Sequence, residues 1–129
     1  MLLARIVLVA AGVTFLAVGV GFLFWPQELS ETLGLTLATP MAVADVRAVY
    51  GGLDLAVAIL LLLSVLRNEL LLGLRIQAVV FGGLLAGRLL GQILDRPQDD
   101  LAWTMVAVES AGLLIALAAR RGLTASTES

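Results

Sequence analysis

Residues 44–66 read ADVRAVYGGLDLAVAILLLLSVL, and this stretch decides the kind of fold. Its second half is almost entirely apolar, as in a helix that crosses a lipid bilayer. Its first half carries Asp45, Arg47 and Asp54 within ten residues. Because a charged side chain costs about 2.5–3.5 kcal/mol at the centre of a membrane helix, these three side chains must face something other than lipid.

The whole chain has the composition of a membrane protein. Of its 129 residues, 60% are hydrophobic and the mean hydropathy is +1.05. Soluble domains contain only about 45–50% apolar residues. A soluble domain of this size could not bury so much apolar surface, so the sequence predicts an integral membrane protein surrounded by the lipid bilayer.

The charged and reactive residues exclude several classes of function. The chain has eight arginines, no lysine and ten acids, which give a net charge of −2 and no basic patch for nucleic acid. It has no cysteine and no histidine. Disulfides, thiolate or imidazole metal ligands and serine–histidine relays are therefore excluded. We expect no metal, no cofactor, no nucleic-acid partner and no catalytic residue, and a non-enzymatic role is favoured.

Four segments reach the length of about 20 residues that a membrane-spanning helix needs. They are residues 2–24, 41–66, 70–94 and 101–119. We predict an all-α fold, in which residues 1–120 form one domain: a four-transmembrane-helix bundle with up-down-up-down order. A polar tail, residues 121–129, follows. The first apolar run exceeds the core of a signal peptide, so we expect it to be retained, and the first loop is expected to contain a short interfacial helix.

The arginines indicate the orientation in the membrane. Only Arg96 lies in the first and third loops, among five acids. The arginines that flank the N-terminus, the second loop and the C-terminus are Arg5, Arg67, Arg75, Arg120 and Arg121. Because cytoplasmic segments carry the excess of positive residues, we predict that both termini are cytoplasmic.

Polar side chains recur at helical spacing within the second span. Arg47, Tyr50, Gly51 and Asp54 stand at positions i, i+3, i+4 and i+7, which places them on one face of an α-helix. Asp45 lies near the outer boundary, where it is either half solvated or caps the start of the helix. These residues are candidates for a buried polar cluster that binds a ligand.

The third and fourth spans carry the partners of that cluster. Gln77, Phe81, Leu84, Arg88 and Gln92 form one stripe on the third span, and Glu109 shares a face with Gly112 and Ala116 on the fourth. Side chains lean toward the N-terminus of their helix, so we predict that Arg88 contacts both Asp54 and Glu109. One arginine between two acids leaves an excess negative charge, which a bound proton, a cationic group or water must offset.

Glycines at four-residue steps predict where helices approach closely. Gly83, Gly87 and Gly91 form a small-residue stripe on the third span. Gly51 and Gly52 are candidates for the same role on the second span, and Gly12 and Gly19 offer a groove on the first. Such stripes allow two helix backbones to come into contact.

RAVYGG in the second span, followed by Gly87–Arg88 in the third, resembles the bacterial membrane proteins catalogued as domain of unknown function 4345. The resemblance covers about residues 4–120, including the number and spacing of the spans. Asp45 stands where that family often has a glutamate. The resemblance implies a compact four-helix protein of the bacterial inner membrane and implies no activity.

Three functions remain open. The first is a binding or accessory membrane protein whose polar cluster holds a lipid or small molecule, alone or with a partner membrane protein. The second is a proton- or ion-coupled transporter that uses the intramembrane carboxylates; with only four spans it requires a homo-oligomer. The third is a structural protein whose ion network only fixes the helix register. An enzyme that uses Asp54 or Glu109 as acid or base is the least favoured reading.

Overall fold

The computed structural model describes residues 1–97 and 99–125, which form helices joined by short connections, and none of these residues forms a β-strand. In chain order the helices are α1 (Leu2–Phe24), α2 (Pro26–Thr32), α3 (Pro40–Val46), a π-helical segment (Arg47–Leu53), α4 (Asp54–Leu66), α5 (Leu70–Leu94) and α6 (Asp100–Ala125). Residues 126–129, the last part of the predicted polar tail, lie outside the described residues.

Local sequence signals set where several helices begin and end. Pro26 and Pro40 stand in the first turns of α2 and α3, where a missing amide proton is no loss because it would have no partner. The hydroxyl of Thr39 caps α3 by accepting a hydrogen bond from the amide of Ala42 at 3.1 Å. Asn68 follows α4 with a left-handed φ of 60°. The short helix predicted in the first loop is present as α2.

Four helical stretches are long and apolar enough to cross a membrane: Leu2–Phe24, Pro40–Leu66, Leu70–Leu94 and Asp100–Thr124. Within the most apolar part of each stretch, between 11% and 33% of the residues are buried inside the chain. Most apolar side chains therefore point outward, as expected where lipid replaces water. The fold is all-helical and compatible with a multi-pass membrane protein.

Two of these stretches differ from the sequence prediction. The span predicted over residues 41–66 contains the π-helical segment, which the apolar pattern does not reveal because both kinds of helix bury an apolar face. The fourth helix continues through Ala125 instead of ending at residue 119. Its continuation is physically reasonable, because Arg120 and Arg121 are good helix formers and no proline follows. Residues 121–125 of the predicted tail are thus helical.

The well-packed part of the molecule, which we call the core end, comprises residues 1–8, 57–75 and 116–125. Leu8, Leu61 and Leu74 are fully buried at its centre. Nearly all of the buried cluster lies there, and Phe15 extends it along α1; its members are Ala4, Val7, Leu8, Phe15, Val57, Ala58, Leu61, Leu70, Leu74 and Ala119. All four long stretches contribute to this cluster, so their mutual packing is strongest at the core end.

The opposite part, which we call the acidic end, comprises residues 25–47 and 95–100. Its two connections lie side by side, because Leu33 of the first and Asp99 of the second border the same cavity. It carries six acids and two arginines, whereas the core end carries five arginines and one acid. The fold therefore separates opposite charges between two ends of the molecule.

Candidate functional site

The RAVYGG motif lies on the π-helical segment. A π-helix bonds residues five apart, so each turn takes more residues than a turn of α-helix. The predicted shared face of Arg47, Tyr50, Gly51 and Asp54 is therefore wrong: Gly51 is buried, whereas Arg47 and Tyr50 are exposed. π-Helical segments are rare and are frequent at functional sites, so the segment draws attention to the side chains around it.

An ion pair joins α5 to α6. Arg88 donates a hydrogen bond from Nε to Glu109 Oε1 at 2.8 Å, and its Nη2 lies 2.7 Å from the same oxygen. Glu109 is buried at 5% exposure, while the Arg88 side chain is 36% exposed. Among the described residues, Glu109 Oε2 has no hydrogen-bond partner. The predicted contact between Arg88 and Glu109 is confirmed, and it leaves one buried carboxylate oxygen unsatisfied.

The other charged residues of the predicted cluster do not join this pair. Asp54 is half-buried, and within residues 1–97 and 99–125 it has no ion pair with Arg88, so that half of the predicted contact is wrong. The π-helical turn before Asp54 displaces it from the face expected on a continuous α-helix. Asp45 is exposed and does not cap α3, since Thr39 does, and it forms no ion pair with Arg47 in the described chain.

The polar stripe on α5 meets α6 at most of its positions. Gln77 donates from Nε2 to the carbonyl oxygen of Gly112 at 3.3 Å, and the ring of Phe81 packs against the same glycine. Leu84 departs from the expected stripe, because it is exposed. Within the described chain, Gln77 Oε1 and Gln92 Nε2 are buried without hydrogen-bond partners. The interface between α5 and α6 thus combines polar contacts with unsatisfied polar atoms.

Arg88 also borders a cavity of about 310 Å³ at the acidic end. This volume is at the lower end of the range of about 300–1,000 Å³ that small-molecule pockets occupy. Of the described residues, three with polar side chains border the cavity: Tyr50, Arg88 and Asp99. The remainder of its wall is mainly apolar and includes Leu33, Ala102 and Met105. A few polar groups in an apolar wall are the usual composition of a ligand pocket.

The polar side chains of this cavity are held in place by neighbouring groups. The ring of Tyr50 lies 5.1 Å from the ring of Phe22 of α1, centroid to centroid. Asp99 Oδ1 accepts a hydrogen bond from the amide of Leu101 at 2.9 Å. Arg88 is fixed by its ion pair. The cavity wall therefore has preorganised polar groups, which lowers the entropic cost of binding.

Glycines bring the π-helical segment and α4 against α1. A Cβ atom on Gly19 would lie 2.9 Å from the backbone nitrogen of Leu55, and one on Gly51 would lie 2.8 Å from Leu23 Cδ2. A Cβ on Gly12 would meet Leu62 Cδ2 at 2.8 Å. The predicted groove on the first helix and the packing role of Gly51 thus correspond to close contacts in the structure.

The glycine stripe of α5 does not pack in this way inside the chain. Among the residues that the structure describes, a Cβ on Gly83 or Gly87 would meet nothing within 4 Å, and one on Gly91 would meet only Asp95 of the same chain segment. Gly52 is exposed as well. The reason is that the buried residues of α5 all lie in its first half, from Leu70 to Gln77. The close helix contact predicted through the α5 stripe is therefore not made within one chain.

Fold and site together define a helical protein with four apolar stretches long enough to span a membrane and an arginine–glutamate pair beside a small cavity. A family model described as Domain of unknown function (DUF4345) matches residues 3–119, so the chain belongs to this family. The resemblance based on RAVYGG and Gly87–Arg88 is thus confirmed. No curated protein and no solved structure matches the chain. The family description carries no activity, so function must be argued from the site.

Proposed function

We propose that the chain is a multi-pass protein of the bacterial inner membrane, with an up-down-up-down order of four spans and both termini in the cytoplasm. The charge separation supports this orientation, because the arginine-rich core end contains residues 1–8 and 116–125, the segments next to the two termini. The contacts between α1 and α4 support the order, because Gly12 meets Leu62 whereas Gly19 meets Leu55, which is the sequence of contacts of antiparallel helices.

Reporter fusions test this topology. Alkaline phosphatase fused after Asp99 should be active, because it would lie outside the cytoplasm, and the same enzyme fused to the C-terminus should be inactive. A fluorescent protein that matures only in the cytoplasm should give the reverse pattern. A cytoplasmic signal from the fusion at Asp99 would overturn the proposed orientation.

We further propose that the protein is a non-enzymatic binding protein that holds a small molecule or lipid in the cavity at the acidic end. The observation that carries this proposal is that Arg88, fixed by the buried Glu109, borders a cavity of ligand size. An ion pair between apolar helices is costly to desolvate, and packing alone would not require it. Intramembrane ionisable residues are accordingly hypotheses for functional sites by default.

The three methionines provide a direct test of binding. Met105 borders the cavity, whereas Met1 and Met41 are exposed elsewhere. With ¹³C-methyl methionine in nanodiscs, NMR can follow Met105 during titration with benzyl alcohol, benzyltrimethylammonium and benzenesulfonate, which share one aromatic ring. We expect a saturable shift of the Met105 signal with at least one probe, and no saturable shift of the Met1 and Met41 signals.

A matched pair of alanine variants locates the binding. Ala102 borders the cavity, and Ala107 is an exposed residue of the same helix that does not. Ala102→Phe should fill the cavity and abolish the Met105 shift, whereas Ala107→Phe should leave it unchanged. If no probe moves the Met105 signal saturably, the binding proposal fails, which leaves the transporter and an ion pair that only fixes the helix register.

One observation favours the proton-coupled transporter as a second candidate. Glu109 Oε2 is buried without a partner in the described chain, and carboxylates within membrane spans often serve as proton relays in transporters. Reconstituted vesicles with an internal pH-sensitive dye test this candidate: wild type should acidify the lumen under an imposed gradient, and Glu109→Gln should not. Equal signals from both proteins would exclude Glu109 as a proton carrier.

A further inference from the structure

The charges around the cavity sum to a negative value. Arg88 contributes one positive charge, but Glu109 lies against it and neutralises it. Asp99, which also borders the cavity, adds a negative charge that has no ion-pair partner in the described chain. The acidic end as a whole carries six acids against two arginines. A ligand that enters the cavity therefore meets a negative field.

The two groups that could attract an anion each have a carboxylate beside them. Within the described chain, the hydrogen bond from Arg88 Nε and the ion-pair contact from Nη2 both go to Glu109 Oε1. The start of α6, which could otherwise attract an anion, has its Leu101 amide bonded to Asp99. An anion in the cavity would lie near the Asp99 carboxylate and would meet a guanidinium whose positive charge Glu109 already offsets. The site is thus poorly arranged for a phosphate or carboxylate.

The aromatic and apolar parts of the wall suit a cation with an apolar body. The Tyr50 ring borders the cavity and is supported by Phe22. Aromatic faces attract organic ammonium groups, and desolvation strengthens the attraction. Leu33, Ala102 and Met105 provide apolar contacts for the rest of such a molecule.

We infer that the cavity binds organic ammonium ions with an apolar body, held by the Asp99 carboxylate and the Tyr50 ring, while the Arg88–Glu109 pair forms a neutral part of the wall. This inference rests on the proposal that the cavity is a binding site, and it names the chemical class of the ligand. The ligand class includes protonated amines and quaternary ammonium groups.

The three probes of the methionine titration also test the charge preference. Benzyltrimethylammonium should bind about tenfold more tightly than benzenesulfonate, with benzyl alcohol between them, as judged by the Met105 shift. Asp99→Asn should reduce the affinity for the cation severalfold and leave that for benzyl alcohol unchanged. Asparagine keeps the capping oxygen for the Leu101 amide, so the start of α6 is preserved. Asp45→Asn is the matched control, because Asp45 is an exposed acid that does not border the cavity.

Replacing the aromatic ring gives an independent readout. Tyr50→Leu should lower the affinity for benzyltrimethylammonium by about two- to fivefold, because the ring face is lost. Equal affinities for the three probes, or tighter binding of benzenesulfonate, would overturn the ammonium inference while leaving the binding proposal intact. Absence of any saturable Met105 shift would instead remove the binding proposal itself. A circular dichroism spectrum and an unfolding midpoint equal to those of the wild type show in each variant that the fold is retained.

Discussion

The core end and the acidic end differ in what their side chains do. At the core end, large apolar side chains from all four long stretches are buried together, with Leu8, Leu61 and Leu74 fully enclosed. Toward the acidic end, a cavity separates the π-helical segment from α6, and Tyr50 and Arg88 border it. Packing therefore dominates one end, and polar contacts with open space dominate the other.

This difference separates stability from binding within one small chain. Close packing at the core end holds the helices together without any need for charged groups, since lipid provides no hydrophobic driving force but tight packing does contribute. The acidic end can then tolerate a cavity, unsatisfied polar atoms and a π-helical segment. The Arg88–Glu109 pair lies between the ends, so variants of this pair best test whether stability and binding are separated in this way.

The largest expected effect is that of breaking this pair. Arg88→Leu leaves the buried carboxylate of Glu109 without its partner, and should lower the free energy of unfolding by about 3–5 kcal/mol. Glu109→Gln in the Arg88→Leu background removes the uncompensated charge and should restore part of the loss. Unfolding in detergent micelles, followed by circular dichroism, measures both changes.

The control for this experiment is another arginine of the same helix. Arg75 is exposed, and within the described chain it has no ion pair. Arg75→Leu should therefore change the free energy of unfolding little. If Arg88→Leu is as stable as Arg75→Leu, the pair does not stabilise the fold, and the core end alone holds the helices together.

The next effect concerns packing at the core end. Leu61→Ala removes a fully buried side chain and should lower the free energy of unfolding by about 2–4 kcal/mol through lost contacts and a cavity. The neighbouring Leu60 is 49% exposed, so Leu60→Ala should cost far less. Equal losses for the two variants in the same unfolding assay would show that the core end is not the main packing region.

The sequence predicts the fold well because membrane spans depend mainly on length and composition. The predicted bounds of the first and third helices, residues 2–24 and 70–94, agree with α1 and α5. The contact between Arg88 and Glu109 also follows from general rules, since α-helical periodicity and side-chain direction place them on facing surfaces.

The remaining features depend on interactions that a periodic pattern does not contain. The π-helical segment Arg47–Leu53 changes the register of the helix. A prediction that assumes α-helical spacing through this segment, including the one for Asp54, therefore places the side chain on the wrong face. The cavity depends on two connections that lie side by side, and Leu33 and Asp99 are far apart in sequence. The Gly51–Gly52 pair weakens an α-helix, but it does not identify the π-helical segment, because Gly82–Gly83 lies within the regular helix α5.

The smallest expected effect compares glycines that pack with glycines that do not. Gly19→Ala places a Cβ 2.9 Å from the backbone nitrogen of Leu55, so backbone must move, and the free energy of unfolding should fall by about 1–3 kcal/mol. Gly87→Ala meets nothing within 4 Å and should raise it by about 0.5–1 kcal/mol, because alanine favours the helix. Each variant adds one methyl group to the wild type. Opposite signs of the two stability changes would therefore separate the effect of packing from the effect of helix propensity. A loss of stability in Gly87→Ala at high protein concentration that disappears on dilution would show that this face contacts a second copy of the chain, because only an intermolecular contact depends on concentration.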